Sequence, residues 1–156
     1  MFATLETTDL ATWVAVSLWG YPMMLSLHVV GLAIVVGIFS MRDLTLLGMF
    51  PGIRPSAFLG ISKLAWLGFI VNALSGFALF ASQATVFISS VPFLVKIVCI
   101  VAGMVLAGII QSRLRRETSI ADSEAAISKS TKVIASISLM FWVAAIIAGR
   151  LIAYIF

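Results

Sequence analysis

Charge is what this sequence has least of. Of its 156 residues only 10% are Asp, Glu, Lys or Arg, against about 25% in an ordinary soluble domain, and 62% are hydrophobic. Together with a mean hydropathy of +1.19, that balance excludes a soluble globular protein and implies an integral membrane one. Cysteine is almost missing: Cys99 stands alone, so no intrachain disulfide is possible, and its apolar surroundings make it a small packing residue. Histidine is represented only by His28, which excludes an intrachain multi-histidine metal centre. There is no phosphate-cradling glycine loop and no Ser, His and acid set at one depth, so neither hydrolytic nor phosphoryl-transfer chemistry, nor a stand-alone enzyme, is expected. The N-terminus has no basic region and carries Glu6 and Asp9, unlike a cleaved signal peptide, so the chain reads as mature from Met1. No repeat or low-complexity segment interrupts it, and residues 1–156 are read as one transmembrane domain.

What is present is apolar sequence in lengths that suit a bilayer. A hydrocarbon core of roughly 30 Å needs about 20 helical residues per crossing. Four segments meet that requirement, at about 21–46, 57–83, 90–113 and 130–154. Helices are required because lipid offers no partner to free backbone groups. Ahead of them, Asp9 to Gly20 has Thr8 or Asp9 as a cap and Trp13, Trp19 and Tyr21 as interface-seeking aromatics, which predicts a short interfacial helix. The expected fold is therefore all-α, an integral membrane four-helix bundle with a short N-terminal interfacial helix.

The charges that do occur are unevenly placed. The loop after the first span, MFPGIRPS, and the polar stretch LRRETSIADSEAAISKSTK after the third emerge on one face. With their flanks they hold Arg42, Arg54, Lys63, Arg113, Arg115, Arg116, Lys129 and Lys132, eight of the ten basic residues. The positive-inside rule puts these loops in the cytoplasm and both termini outside, in a bacterial inner (cytoplasmic) membrane. The net charge of +4 is then a matter of topology and anionic lipid, and nucleic acid is not an expected partner. Arg42 and Asp43 read most simply as a helix-terminal ion pair or turn contact at that cytoplasmic end.

Against this background a polar group inside a span is a candidate site, because placing it in lipid costs free energy. His28 lies inside the uncharged run from Pro22 to Met41. Counted from the outer helix ends, Lys96, Arg150 and Asn72, the last with Ser75 and Gly76 beside it, fall at matching depths of roughly 9 to 16 Å. Helical spacing puts Gly31 with His28, Gly68 with Asn72, and Gly103 and Ala107 with Lys96, so small residues line the faces that carry the polar groups. No acidic residue accompanies them. Two cations and an imidazole without a counter-ion point to an anionic guest. The competing readings are ordinary ones. Only 16 residues separate Lys96 from Arg113 and 17 separate Lys132 from Arg150, so both cations could snorkel to the outer interface. His28 could be a core residue bonded to Asn72 or Ser75. Trp66, Phe141 and Trp142 read as packing or interface aromatics, and the methionines as filler, with Met23 and Met24 near His28 and Met140 on a plausible inward register.

The stretches LWGYPMMLSLHVVGLAIVVGIFSMRDLTLLG, LSGFALF, VPFLVKI and SLMFWVAAIIAGRLIAYIF resemble a family of small, largely uncharacterised bacterial four-helix membrane proteins, and together they cover most of the chain. More distantly, a histidine before a glycine-spaced helix and a lysine opening a later one resemble copper resistance D membrane proteins and b-type cytochrome four-helix bundles. The nearer resemblance implies the fold and marks His28, Asp43, Lys96 and Arg150. The distant one implies heme b, with His28 as the iron ligand and Lys96, Arg150 or Tyr21 as partners of the propionates. The sixth ligand would then be Met23, Met24, Met140, a group from another subunit, or a vacant position. The expected function is a redox-linked or heme-associated electron-transfer subunit with a cationic pocket in the outer half of the bilayer. The alternatives are an anion, quinone or small-molecule binding or transport protein, and a structural subunit docking on other membrane proteins or on copies of itself.

Overall fold

The computed structural model describes residues 2–120 and 127–154, all side chains apart from those of 118–120 included. Seven helices run through them: α1 Phe2–Glu6, α2 Asp9–Val16, α3 Gly20–Leu46, α4 Ala57–Ser82, α5 Ala84–Ser89, α6 Val91–Ile120 and α7 Lys129–Leu151, with no strand among the described residues. Of these α3, α4, α6 and α7 are long and apolar enough to cross a membrane. Large side chains such as Val30, Leu74, Val98 and Met140 point outward from them, more than half exposed, as a lipid solvent favours. This is an all-α, multi-pass membrane protein built on a four-helix bundle.

Local chemistry sets the helix ends. Thr8 caps α2, its hydroxyl accepting from the Ala11 amide, and Ser128 caps α7 by accepting from the Thr131 amide. At the α2–α3 corner a Cβ on Gly20 would stand 2.5 Å from the Trp13 carbonyl oxygen, so only glycine lets the chain turn that tightly. Pro22 lies in the first turn of α3, where its missing N–H is not needed. At the other end Gly48 takes φ +88°, a left-handed conformation that closes the helix, and prolines 51 and 55 follow.

Two stretches differ from the sequence expectation. The third span does not stop near residue 113 but continues to Ile120. Its polar extension is tied to the start of α7 through Glu117, whose Oε1 accepts from Ser128 Oγ at 2.9 Å and Thr131 Oγ1 at 2.8 Å. The middle of the polar stretch, residues 121–126, lies outside the described residues. The chain also forms two short helices that no periodicity announces, α1 and α5. They meet beside the span termini, where Glu6 Oε1 accepts from the Thr85 amide at 2.8 Å and its hydroxyl at 2.7 Å, and Phe2 packs edge-on to Phe80.

The Thr85 bonds hold the Glu6 carboxyl below the usual carboxylate range, the hydroxyl contributing more than the amide. A depressed folded pKa means that the stabilisation is present at neutral pH and is lost as pH falls through the folded value. Hydrogen-exchange protection of the Thr85 amide is accordingly expected to drop as pH falls below the usual carboxylate range, after correction for intrinsic rates. Glu6→Gln should remove that pH dependence. Protection that stays constant over that fall in pH in the native protein would show that the Glu6 contact does not hold α5.

Packing joins α3 to α4 and α6 to α7, and α3 closes the bundle against α7. The α3–α4 crossing is a backbone contact. A Cβ on Gly31 would lie 2.7 Å from the Asn72 nitrogen and 2.8 Å from the Gly68 carbonyl oxygen. Across the bundle the Trp142 ring lies over Gly103 and stacks on Phe39 at 5.9 Å. Trp142 is thus a core residue, joined by Val35, Ala65, Met104 and Ala107. Met140 contradicts its expected inward register: it is 71% exposed, facing away from the bundle.

The expectation for Arg42 and Asp43 also changes. They do pair, Arg42 Nη2 donating to Asp43 Oδ1 at 2.7 Å and Nε to the same oxygen at 2.9 Å. Yet they are 1% and 0% exposed, enclosed by α6 and α7 rather than standing at a helix rim. Arg42 Nη1 also donates to the Ala107 carbonyl oxygen at 3.2 Å, and the guanidinium lies 4.9 Å from the centre of the Phe39 ring. Arg42 therefore drops out of the surface charge that sets topology.

Candidate functional site

The close approach at Gly31 brings α4 within reach of the polar face of α3. Asn72 Nδ2 donates to the His28 carbonyl oxygen at 2.8 Å, and His28 Nδ1 meets the Asn72 carbonyl oxygen at 2.9 Å. A carbonyl can only accept, so this contact assigns the imidazole proton to Nδ1 and leaves Nε2 with its lone pair. Gly76, one turn beyond Asn72, provides the space for the ring, since a Cβ there would stand 2.9 Å from His28 Cε1. Ser75 lies beside it, its hydroxyl 3.5 Å from Nδ1 and donating chiefly to the Val71 carbonyl oxygen at 2.6 Å.

From α6, Lys96 reaches inward. Its Nζ lies 3.4 Å from His28 Nε2, the nitrogen free to accept. The stem passes Gly149 of α7, where an added Cβ would meet Lys96 Cδ at 3.4 Å. Lys96 therefore turns to His28 instead of snorkelling to the rim. Three helices converge on one polar cluster, and a fourth supplies the glycine under the lysine.

The cluster forms the polar end of a cavity of about 860 Å³. Tyr21, His28, Asn72, Lys96 and Arg150 all line it. Arg150 does not join the His28 group directly. Its Nη2 donates to Tyr154 Oη at 2.7 Å and its guanidinium lies over the Tyr154 ring at 5.1 Å, which holds it at the exposed edge. Tyr21 is likewise at the edge, 41% exposed. Among the described residues the lining includes no carboxylate.

Aromatic rings form much of the remaining wall, and the sequence reading did not select them. Phe80 of α4, Phe87 of α5 and Phe93 of α6 stack on one another, with Phe80 and Phe93 5.4 Å apart and only 9° from parallel. One signal was available for Phe93, which lies three residues before Lys96 and shares its helix face. None was available for Phe87, because its place depends on α5.

The donor set can be tested against heme. His28 offers one imidazole nitrogen, and its Nδ1 bond to a carbonyl is the arrangement that orients a ligating histidine. A second axial ligand is not at hand among the methionines. Met24 packs against Val14, Ala78 and Leu79, Met23 is half exposed and outside the cavity lining, and Met140 faces away. Among the described residues no three His, Cys, Asp or Glu side chains gather as a metal site would require.

The site and fold together define a membrane-embedded four-helix bundle with a one-sided polar cavity. No protein-family model, curated protein or solved structure matches the chain.

Proposed function

We propose that this protein binds a membrane-soluble amphiphile, with the acceptor-bearing head of the guest at Lys96 and His28 and its apolar body along the phenylalanine wall. One observation carries the reading: Lys96 and Arg150 line a largely apolar cavity that, among the described residues, has no carboxylate in its wall. Lys96 has three N–H donors and spends one on His28 Nε2, so two remain for a guest. A cavity of this size is within the range that holds small organic ligands, roughly 300–1,000 Å³.

The same reading places the chain in a bacterial inner membrane with both termini outside. With Arg42 buried, seven of the ten basic residues still gather at the end where α3 joins α4 and α6 joins α7. The cavity lining lies toward the opposite end, reaching Tyr21, Gln83, Phe87 and Ala153, which corresponds to the outer half of the bilayer. That arrangement suits a binding or transfer role better than a stand-alone enzyme.

Lys96→Met tests it, since methionine keeps the length and loses the charge. Reconstituted protein is titrated with oleate, a simple anionic amphiphile, at low salt. Lys96→Met should weaken binding at least about tenfold, the order of one charge-assisted hydrogen bond. Equal affinity in both forms defeats the proposal.

A second reading is favoured by a specific contact, the Nδ1 bond that leaves the Nε2 lone pair of His28, which faces Lys96 here, as the one that would turn to iron. Heme b would be held by His28, with Lys96, Arg150 and Tyr21 toward the propionates. A Soret band in protein purified from native membranes, lost in His28→Ala, would replace the amphiphile reading with this one. A colourless, iron-free preparation removes it.

A further inference from the structure

The cavity wall is more aromatic than an acyl chain needs. Six of its twenty-one lining residues are Phe or Tyr, whereas aromatics make up 11% of the chain. Three of the six, Phe80, Phe87 and Phe93, form a stack with planes within 28° of one another and centroids 5.4 to 6.5 Å apart. Rings oriented alike present a flat surface, and a flat conjugated guest extends such a stack, gaining contact that a flexible chain does not. Phe93 is one helical turn from Lys96, so a ring lying on it has its edge toward the ammonium group.

The polar end argues in the same direction. A phosphate or carboxylate is best held by a bidentate guanidinium or several charge-assisted donors. Here the guanidinium of Arg150 is engaged by Tyr154, and the Asn72 amide already donates to the His28 carbonyl oxygen. Tyr21, Gln83 and Arg150 line the cavity from exposed positions, and the donor left at the buried cluster is a single amine, Lys96, which matches a neutral carbonyl oxygen.

We infer that the guest is a lipid-soluble quinone, or its quinol, with its ring against Phe93 and Phe80 and one ring oxygen at Lys96 Nζ. This rests on the amphiphile reading above and adds the chemical class of the head. It concerns binding only.

The test uses full-length protein in nanodiscs and three probes: decylubiquinone, decylcyclohexane and oleate. Decylubiquinone is expected to bind saturably, near one per chain, and decylcyclohexane, which has the tail without the planar ring or carbonyls, at least about tenfold more weakly. Phe93→Leu, which keeps the wall apolar, should weaken decylubiquinone roughly fivefold and leave oleate within about twofold. If Phe93→Leu is poorly folded, Phe80→Leu serves, and the comparison of the three probes on the native protein stands without either. Oleate binding with no decylubiquinone binding overturns the quinone assignment and leaves the amphiphile reading in place. Equal weakening of both probes by Phe93→Leu also overturns it. Failure of all three probes defeats both.

Discussion

Asp43→Ala is expected to cost about 3–5 kcal/mol of stability, because it strands Arg42 as an unpaired charge inside the bundle. The guanidinium is 1% exposed and places two of its nitrogens on Asp43 Oδ1. Without the carboxylate it keeps one bond to the Ala107 carbonyl oxygen and its contact with the Phe39 ring, neither of which neutralises it. The buried side chain is set between the Ala107 carbonyl and the Phe39 ring, so water does not take over the lost partner. Removing both partners should behave differently. Arg42→Met with Asp43→Leu exchanges a costly buried pair for apolar volume and is expected to recover most of the loss, or to exceed the native stability. Equilibrium unfolding in mixed micelles, titrated with a denaturing detergent, measures all three forms. A single substitution no worse than the double one would show that the pair is solvated and that its burial carries no energetic weight.

That pair also shows where the sequence was legible and where it was not. The four spans follow from hydropathy and length alone, because a bilayer imposes both at once and few other patterns satisfy it. His28, Lys96 and Asn72 could be aligned by counting a fixed rise per residue, and the structure places Lys96 and Asn72 each within hydrogen-bonding distance of His28. Arg150 shared their depth and lines the same cavity, but depth says nothing about azimuth, and its guanidinium turned to Tyr154 one helical turn away. Arg42 and Asp43 read as surface charges because they fall near the end of a span. Their burial depends on how α6, through the Ala107 carbonyl, and α7 pack against α3, and no local pattern reveals a contact of that kind. The phenylalanine stack was hidden for a related reason. It joins residues from three helices, one of them six residues long, and only the assembled bundle brings them together.

The second large effect is expected at Gly31, where the fold and the cavity depend on the same few ångströms. Gly31→Ala puts a methyl group 2.7 Å from the Asn72 nitrogen, and because the obstructing atoms are backbone, α3 and α4 must separate for it to fit. Overpacking of this kind costs about 1–3 kcal/mol, and Gly31→Ile should prevent the native crossing altogether. Gly37 provides the matched control on the same helix: a Cβ there meets nothing within 4 Å, so Gly37→Ala removes the helix penalty of glycine without any clash and should stabilise by up to about 1 kcal/mol. The separation also has a chemical consequence. The Nδ1 contact with the Asn72 carbonyl oxygen, at 2.9 Å, and the Asn72 bond to the His28 carbonyl oxygen, at 2.8 Å, both require the close approach. Nitrogen-15 spectra of labelled protein should therefore report a protonated Nδ1 and an unprotonated Nε2 in the native form, and a mixture of tautomers in Gly31→Ala. Gly37→Ala should retain the native pattern. If Gly31→Ala leaves both the stability and the tautomer unchanged, the backbone contact between α3 and α4 is not what positions His28. If it changes both, the glycine contact is what holds the imidazole in the orientation that faces Lys96 and the cavity.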